Sequence, residues 1–248
     1  MSDSPIHVLV WDENPSHAPR EVYPDCIRGA VADGLRELGG DKVDVRVAHL
    51  DEPDQGVSAA ALAEADVLFW WAHARHREVT DETADRVAAR VHEHGLGFIG
   101  LHSAHYSKTL KKVLGCTGHL KGGWREDDQP EQIRICAPDH PIVQGVSDFT
   151  LLKEEMYGAP FDVPAPQVTV LQSYFPAGGE YFPSGLAWTV GKGIDPNFES
   201  GPGQGVGQGE GIGRVFYFRP GHESVPTYFN PDVRRILYNA TRWAARRD

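Results

Sequence analysis

Two short runs in the first half of the chain, Val67-Leu68-Phe69-Trp70-Trp71-Ala72 and Gly97-Phe98-Ile99-Gly100-Leu101, carry no polar residue at any position. Successive side chains of a strand point to opposite faces, so a run without polar alternation reads as a strand covered on both sides. Between the two runs lies a helical pattern. Thr80 suits its N-cap, Ala84, Val87, Ala88 and Val91 recur at helical spacing, and Gly95 stops it. The same alternation precedes them: His7-Val8-Leu9-Val10-Trp11 reads as a strand, and Ile27, Ala30, Val31, Leu35 and Leu38 as one helix face closed by Gly39-Gly40. A further strand follows at 43–48 and a short helix at 59–65. Strands separated by helices pair in parallel through right-handed crossovers, which predicts an α/β fold with a three-layer, doubly wound, mostly parallel sheet.

The second half is richer in strands, predicted at 132–137, 150–153, 168–174, 186–190 and 214–218. A last helix starts at Asn230 as N-cap and Pro231 as N1, with Val233, Ile236, Leu237, Ala240 and Ala244 facing the core. No linker, repeat or composition break divides the 248 residues, so residues 1–248 are read as one domain.

Charge narrows the partners. A formal net charge of −11 lacks the basic field that a phosphate backbone requires, so no nucleic-acid partner is expected. The longest apolar run is far below the ~18 residues of a membrane span, and the N-terminus lacks the pattern of an export signal. A cytoplasmic protein without a membrane partner is expected; a homo-oligomer is left open. Cys26, Cys116 and Cys136 are odd in number and without C-x-x-C spacing, which indicates neither a disulfide framework nor a thiolate zinc site. Residues 201–213 carry glycine at every odd position, and strict alternation cannot supply the odd offset of a dinucleotide fingerprint. The segment reads as a flexible hairpin connection or a lid, and no nucleotide cofactor is expected.

Ligands of doubly wound sheets bind at the carboxyl ends of the strands. Trp11 and Glu13 fall there after the first strand, His73 and His76 after the third, and His102, Ser103 and His105 after the fourth. Gly100-Leu101-His102-Ser103-Ala104-His105 has the composition of a sharp strand-to-helix elbow that presents either His102 or Ser103. A triad of Ser103, His222 and a carboxylate is conceivable, although the pattern is not G-x-S-x-G, and Ser103 also suits a helix cap. At another strand end, Arg219-Pro220-Gly221-His222-Glu223 offers groups for acid–base work or metal ligation. Glu154 and Glu155 follow a strand pattern, where only one of two neighbours can face a site. Trp11, Trp70, Trp71, Tyr106, Trp124 and Tyr157 could offer flat apolar faces to a sugar ring. If three of His73, His76, His102, His105, His222 and Glu155 meet in one cavity, a zinc-like divalent site is chemically reasonable.

Taken in order, the segments Val67-Leu68-Phe69-Trp70-Trp71-Ala72-His73, Leu101-His102-Ser103-Ala104-His105-Tyr106-Ser107-Lys108, His140-Pro141-Ile142-Val143, Glu154-Glu155-Met156-Tyr157-Gly158 and Phe216-Tyr217-Phe218-Arg219-Pro220-Gly221-His222-Glu223 resemble the ThuA-like family of trehalose-utilisation proteins. The resemblance runs from the first strand to the last helix. It implies the flavodoxin-like fold of class I glutamine amidotransferases. Those enzymes have G-x-C-x-G-H at the elbow, where this chain has His102 in the cysteine's place, so thiol-dependent amide hydrolysis is not expected. His222-Glu223 looks like the counterpart of their late catalytic histidine.

The resemblance further implies a role in sugar catabolism, with a small-molecule sugar as substrate. The expectation is an enzyme acting on a glycoside or keto-disaccharide by proton transfer next to a carbonyl, with His102, His222 and Glu155 as acid, base or metal ligands. His73, His102 and His222 are the candidate metal ligands, and Trp11, Glu13, Trp71, Ser103, His105, Tyr106, Tyr157, Arg219 and Glu223 the candidate substrate contacts. A non-catalytic sugar-binding or regulatory protein on the same scaffold is the alternative, and a serine hydrolase a third reading.

Overall fold

The computed structural model describes residues 4–193 and 212–247; the glycine-alternating segment lies largely outside these. Its elements in chain order are β1 (Ile6–Asp12), α1 (Cys26–Gly39), β2 (Val43–His49), α2 (Ala59–Glu64), β3 (Val67–Trp71), α3 (Asp81–His94), β4 (Gly97–Leu101), α4 (Lys108–Leu114), β5 (Trp124–Arg125), β6 (Glu131–Ile135), β7 (Phe149–Leu151), β8 (Met156–Tyr157), β9 (Val168–Phe175), β10 (Glu180–Val190), β11 (Gly213–Phe218) and α5 (Pro231–Ala244).

The sheet runs β2-β1-β3-β4-β11-β10-β9-β6-β7. Its first five strands pair in parallel, and the first four follow the 2-1-3-4 order of flavodoxin-like sheets. The remaining pairings, from β11–β10 to β6–β7, are antiparallel. The second-half strands thus extend the parallel sheet at one side.

Period-two alternation builds two separate cores. Val67, Phe69 and Trp71 of β3 pack with Ile27, Val31 and Leu35 of α1 and Ile236, Leu237 and Ala240 of α5. Leu68 and Trp70 face the other way, among Leu62 of α2, Val87 and Val91 of α3 and Leu110 and Val113 of α4. The helices begin and end where their sequence dictates: Thr80 Oγ1 accepts from Thr83 N, Asn230 Oδ1 accepts from Asp232 N and Val233 N, and Gly95 takes the left-handed conformation that closes α3. Among the described residues, no helix is long and apolar enough to cross a membrane.

Two local expectations change. Ser107, not Ser103, caps α4, accepting from Leu110 N at 3.1 Å. The chain leaves strand geometry after Leu151, so Glu154 and Glu155 do not alternate; both turn inward and are buried.

Candidate functional site

The strands β3, β4 and β11 lie side by side, with carboxyl ends at the same edge of the sheet. Neighbouring strands are ~4.8 Å apart, and each of these three delivers one histidine within four residues of its end. His73, His102 and His222 form a triangle with ring centroids separated by 5.1 Å (His73–His102), 5.0 Å (His73–His222) and 5.4 Å (His102–His222). With Glu223 they present one ligand atom each, all within 4.8 Å of one another.

The elbow after β4 explains how His102 reaches this point. His102 has φ +53°, a left-handed conformation uncommon outside glycine but tolerated by histidine, and it turns a fully buried imidazole over the strand tip. The turn is held by its surroundings: Tyr217 Oη donates to the His102 carbonyl at 2.8 Å, and Trp71 lies parallel to the ring at 6.2 Å. Trp71 Nε1 in turn donates to the Gly221 carbonyl at 3.0 Å, which ties the floor to the loop that bears His222.

Each of the three histidines is engaged by the protein through Nδ1. His73 Nδ1 donates to Glu223 Oε1 at 2.9 Å, His102 Nδ1 lies 3.3 Å from the Arg219 carbonyl, and His222 Nδ1 lies 2.8 Å from Ser224 Oγ. The Nε2 atoms of His102 and His222 turn to other groups of the site, that of His102 lying 3.4 Å from Tyr157 Oη. The same atom of His102 is 3.3 Å from Glu155 Oε2, and that of His222 is 3.4 Å from Glu126 Oε1. His222 Nε2 and Glu155 Oε2 are buried and make no hydrogen bond. Metal-ligating imidazoles are held through one nitrogen by a carboxylate, a carbonyl or a hydroxyl, as these three are through Nδ1. The structure therefore offers a donor set of three imidazoles and a carboxylate.

Charge states differ across the cluster. Burial, reinforced by the neighbouring charges of His73, His222 and Arg219, keeps His102 well below its ordinary pKa and thus neutral. Burial would also lower His73, but the hydrogen bond and charge of Glu223 outweigh it and raise that pKa. Burial would raise Glu223, yet the His73 hydrogen bond and the charges of His73 and His222 bring it down to about 2. Burial pushes the Glu155 carboxyl up to about 7, against the opposing charges of His73 and Arg219. Two carboxylates in one site are thereby driven in opposite directions, the pattern by which acid and base roles are divided.

Beside the cluster lies a cavity of about 280 Å³ bounded by His73, Ser103, Tyr106, Trp124, Glu155 and Tyr157, among others. Its wall mixes aromatic rings with carboxylates and imidazoles, and none of Cys26, Cys116 and Cys136 lines it.

The sequence profile of the ThuA family, described as trehalose utilisation, matches residues 7–244. The chain belongs to this family. No curated protein matches it. Among solved structures, a ThuA-like protein from Parabacteroides merdae is 16% identical with a TM-score of 0.65, over 97% of this chain and 90% of that one. A cold-adapted beta-galactosidase from Rahnella sp. R3 is 14% identical with a TM-score of 0.56, over 98% of this chain and 32% of that one. At these identities the likeness is one of fold.

Within this ThuA-family chain, the residues singled out from the sequence divide into three groups. His73, His102, His222, Glu155 and Glu223 meet in the cluster, and Ser103, His105, Tyr106 and Tyr157 line the cavity. Ser103 Oγ pairs with Tyr157 Oη at 2.5 Å rather than with a histidine, so no serine triad is assembled. Trp71 is the floor beneath His102. Trp11, Glu13 and Arg219 are fully buried, and the polar atoms of Trp11 and Glu13 and both Nη atoms of Arg219 are bonded within the protein. Trp11 stacks on Trp70 at 3.7 Å, with Nε1 donating to Gln55 O. Glu13 accepts from Ala74 N and Arg75 N, fixing the turn that follows His73. The Arg219 guanidinium lies between Glu131 and Glu154 under the site. Trp11 and Glu13 at the tip of β1 are thus framework, and the cluster is built from the ends of β3, β4 and β11.

Two site residues escape the sequence reading. His17 Nε2 hydrogen-bonds Glu223 Oε1 at 2.8 Å, and Glu126 approaches His222. His17 had a usable signal, since it lies in the loop that leaves the first strand. Glu126 had none beyond standing two residues after Trp124.

Proposed function

We propose that this protein acts on a glycoside or keto-disaccharide of the trehalose type by moving a proton at a carbon next to a carbonyl. The observation that carries this reading is the set of three histidines oriented through Nδ1, with His102 Nε2 lying 3.3 Å from Glu155 Oε2, a buried oxygen that makes no hydrogen bond. A carboxylate raised to about 7 is a base matched to neutral pH. A keto group acidifies the neighbouring C–H, so one base and one electrophile suffice. Glu155 takes the proton; the C–H electron pair becomes a C=C bond as the bond from the next carbon to the glycosidic oxygen breaks. The proton then passes from Glu155 to the departing oxygen, which balances the step without a further reagent. Return of the proton to carbon instead gives isomerisation.

The donor set fits zinc or a related first-row divalent ion, and the buried Nε2 of His222, which makes no hydrogen bond, favours such a guest. His73, His102, His222 and Glu223 would hold it, and it would supply positive charge at the substrate carbonyl oxygen. With no thiol in the cavity, a cysteine-dependent amidotransferase is not proposed.

The test is turnover of a 3-keto-disaccharide by protein purified without a histidine tag, before and after chelation and reloading with zinc, manganese or iron. Wild type should turn the substrate over and recover on reloading, and His222→Ala should lose about 10²-fold or more. Equal rates in wild type and His222→Ala would overturn the assignment.

A further inference from the structure

Trp124 keeps 64% of its surface in solvent, the most exposed large aromatic side chain among the described residues. A lone exposed indole needs no explanation by itself, but this one lines the cavity from a tightly tied stretch of backbone. Trp124 pairs with Tyr157 across the β5–β8 ribbon. The loop before it lies directly on the opposing backbone, with Gly122 N donating to Gly158 O at 3.1 Å and Gly158 N to Gly123 O at 2.8 Å. Only glycines permit this approach: a Cβ on Gly122 would fall 2.4 Å from the Ala159 carbonyl oxygen, and one on Gly158 would fall 2.3 Å from that of Gly122. Arg125 pins the ribbon through Glu180 at 2.6 Å and through Asp127.

Glu126, two residues beyond Trp124, lines the same cavity and reaches to 3.4 Å from His222 Nε2. The indole therefore belongs to the same wall as a group at the cluster. Tyr106 lines the same cavity, 37% exposed, its hydroxyl fixed to His119 Nδ1 at 2.9 Å. His76 contributes to the lining too, and its buried Nδ1 makes no hydrogen bond.

We infer that Trp124 and Tyr106 form a second sugar subsite, which holds the glycosyl unit across the scissile bond from the ring that Glu155 addresses. A pyranose has an apolar C–H face that packs on a flat aromatic ring and an edge of hydroxyls that seeks polar partners. Trp124 supplies the first, and His76 Nδ1 and Glu126 the second. The inference rests on the sugar reading above and adds that this site distinguishes two-ring from one-ring glycosides.

Calorimetric titration of the full chain with trehalose and with methyl α-D-glucopyranoside tests it. Wild type should bind trehalose about tenfold more tightly than the one-ring glycoside, Trp124→Ala should close most of that gap, and Trp124→Phe should retain it. Equal affinities in wild type, or a gap that Trp124→Ala leaves intact, would overturn the subsite while the sugar reading stands. Binding of neither sugar by wild type would overturn the subsite, and the same titration with a 3-keto-disaccharide, if also silent, would overturn the sugar reading as well.

Discussion

Glu155 has its carboxyl pushed to about 7 by burial, while an unfolded chain releases that proton near 4.5. Between these values the folded form holds more protons than the unfolded one, so the contribution of this group to stability is complete below about pH 4.5 and is lost as pH rises through about 7. The cost of ionising it in place is about 3 kcal/mol, at 1.36 kcal/mol per unit. In chelator-treated protein, Glu155→Gln should therefore exceed wild type in stability by up to that amount at pH 8, and the difference should vanish near pH 4. Urea unfolding at both pH values checks this, and a gap independent of pH would contradict it. At this scale the sequence told residue types better than their company. His73, His102 and His222 were legible because each follows a strand end. The burial of Trp11, Glu13 and Arg219 was not, because a polar atom at a strand tip looks alike whether it faces a ligand or a neighbouring loop.

At the scale of elements, the loop after β11 depends on a buried charge network. Arg219 hydrogen-bonds Glu131 and the Glu155 carbonyl, and it packs over the rings of Tyr157 and Phe175 at 5.5 and 5.3 Å. Glu154 completes the tie by accepting from Gly221 N at 2.7 Å and Thr227 Oγ1 at 2.5 Å. Removing the cation leaves two buried carboxylates uncompensated, and Arg219→Met should cost about 3–5 kcal/mol, read as a lower denaturation midpoint. An unchanged midpoint would show the network to be dispensable. The elements that strong periodicity marks, β1 to β4 and α1, α3 and α5, are where the sequence put them to within a residue or two. The first half of β10 escaped it, since Pro183 interrupts the pattern and the register with β9 shifts between Pro183 and Leu186. The β5–β8 ribbon escaped because two residues per strand carry no period.

At the scale of the molecule, function depends on β11 pairing in parallel beside β4, which brings His222 to His102 across 120 positions of chain. Periodicity fixes neither partner nor order for such a distant strand. The family resemblance supplied that juxtaposition as an expectation, and the sheet order explains it. Proton transfer by this juxtaposed cluster on a keto-sugar is read directly by proton NMR of a 3-keto-disaccharide incubated with the protein in D₂O. Wild type should exchange the proton next to the carbonyl for deuterium, or eliminate it with release of the second sugar, and Glu155→Gln should do neither above the uncatalysed rate. A wild-type protein that binds the sugar while its C–H signal persists unchanged would rule out proton transfer and identify a binding protein on an enzyme's scaffold.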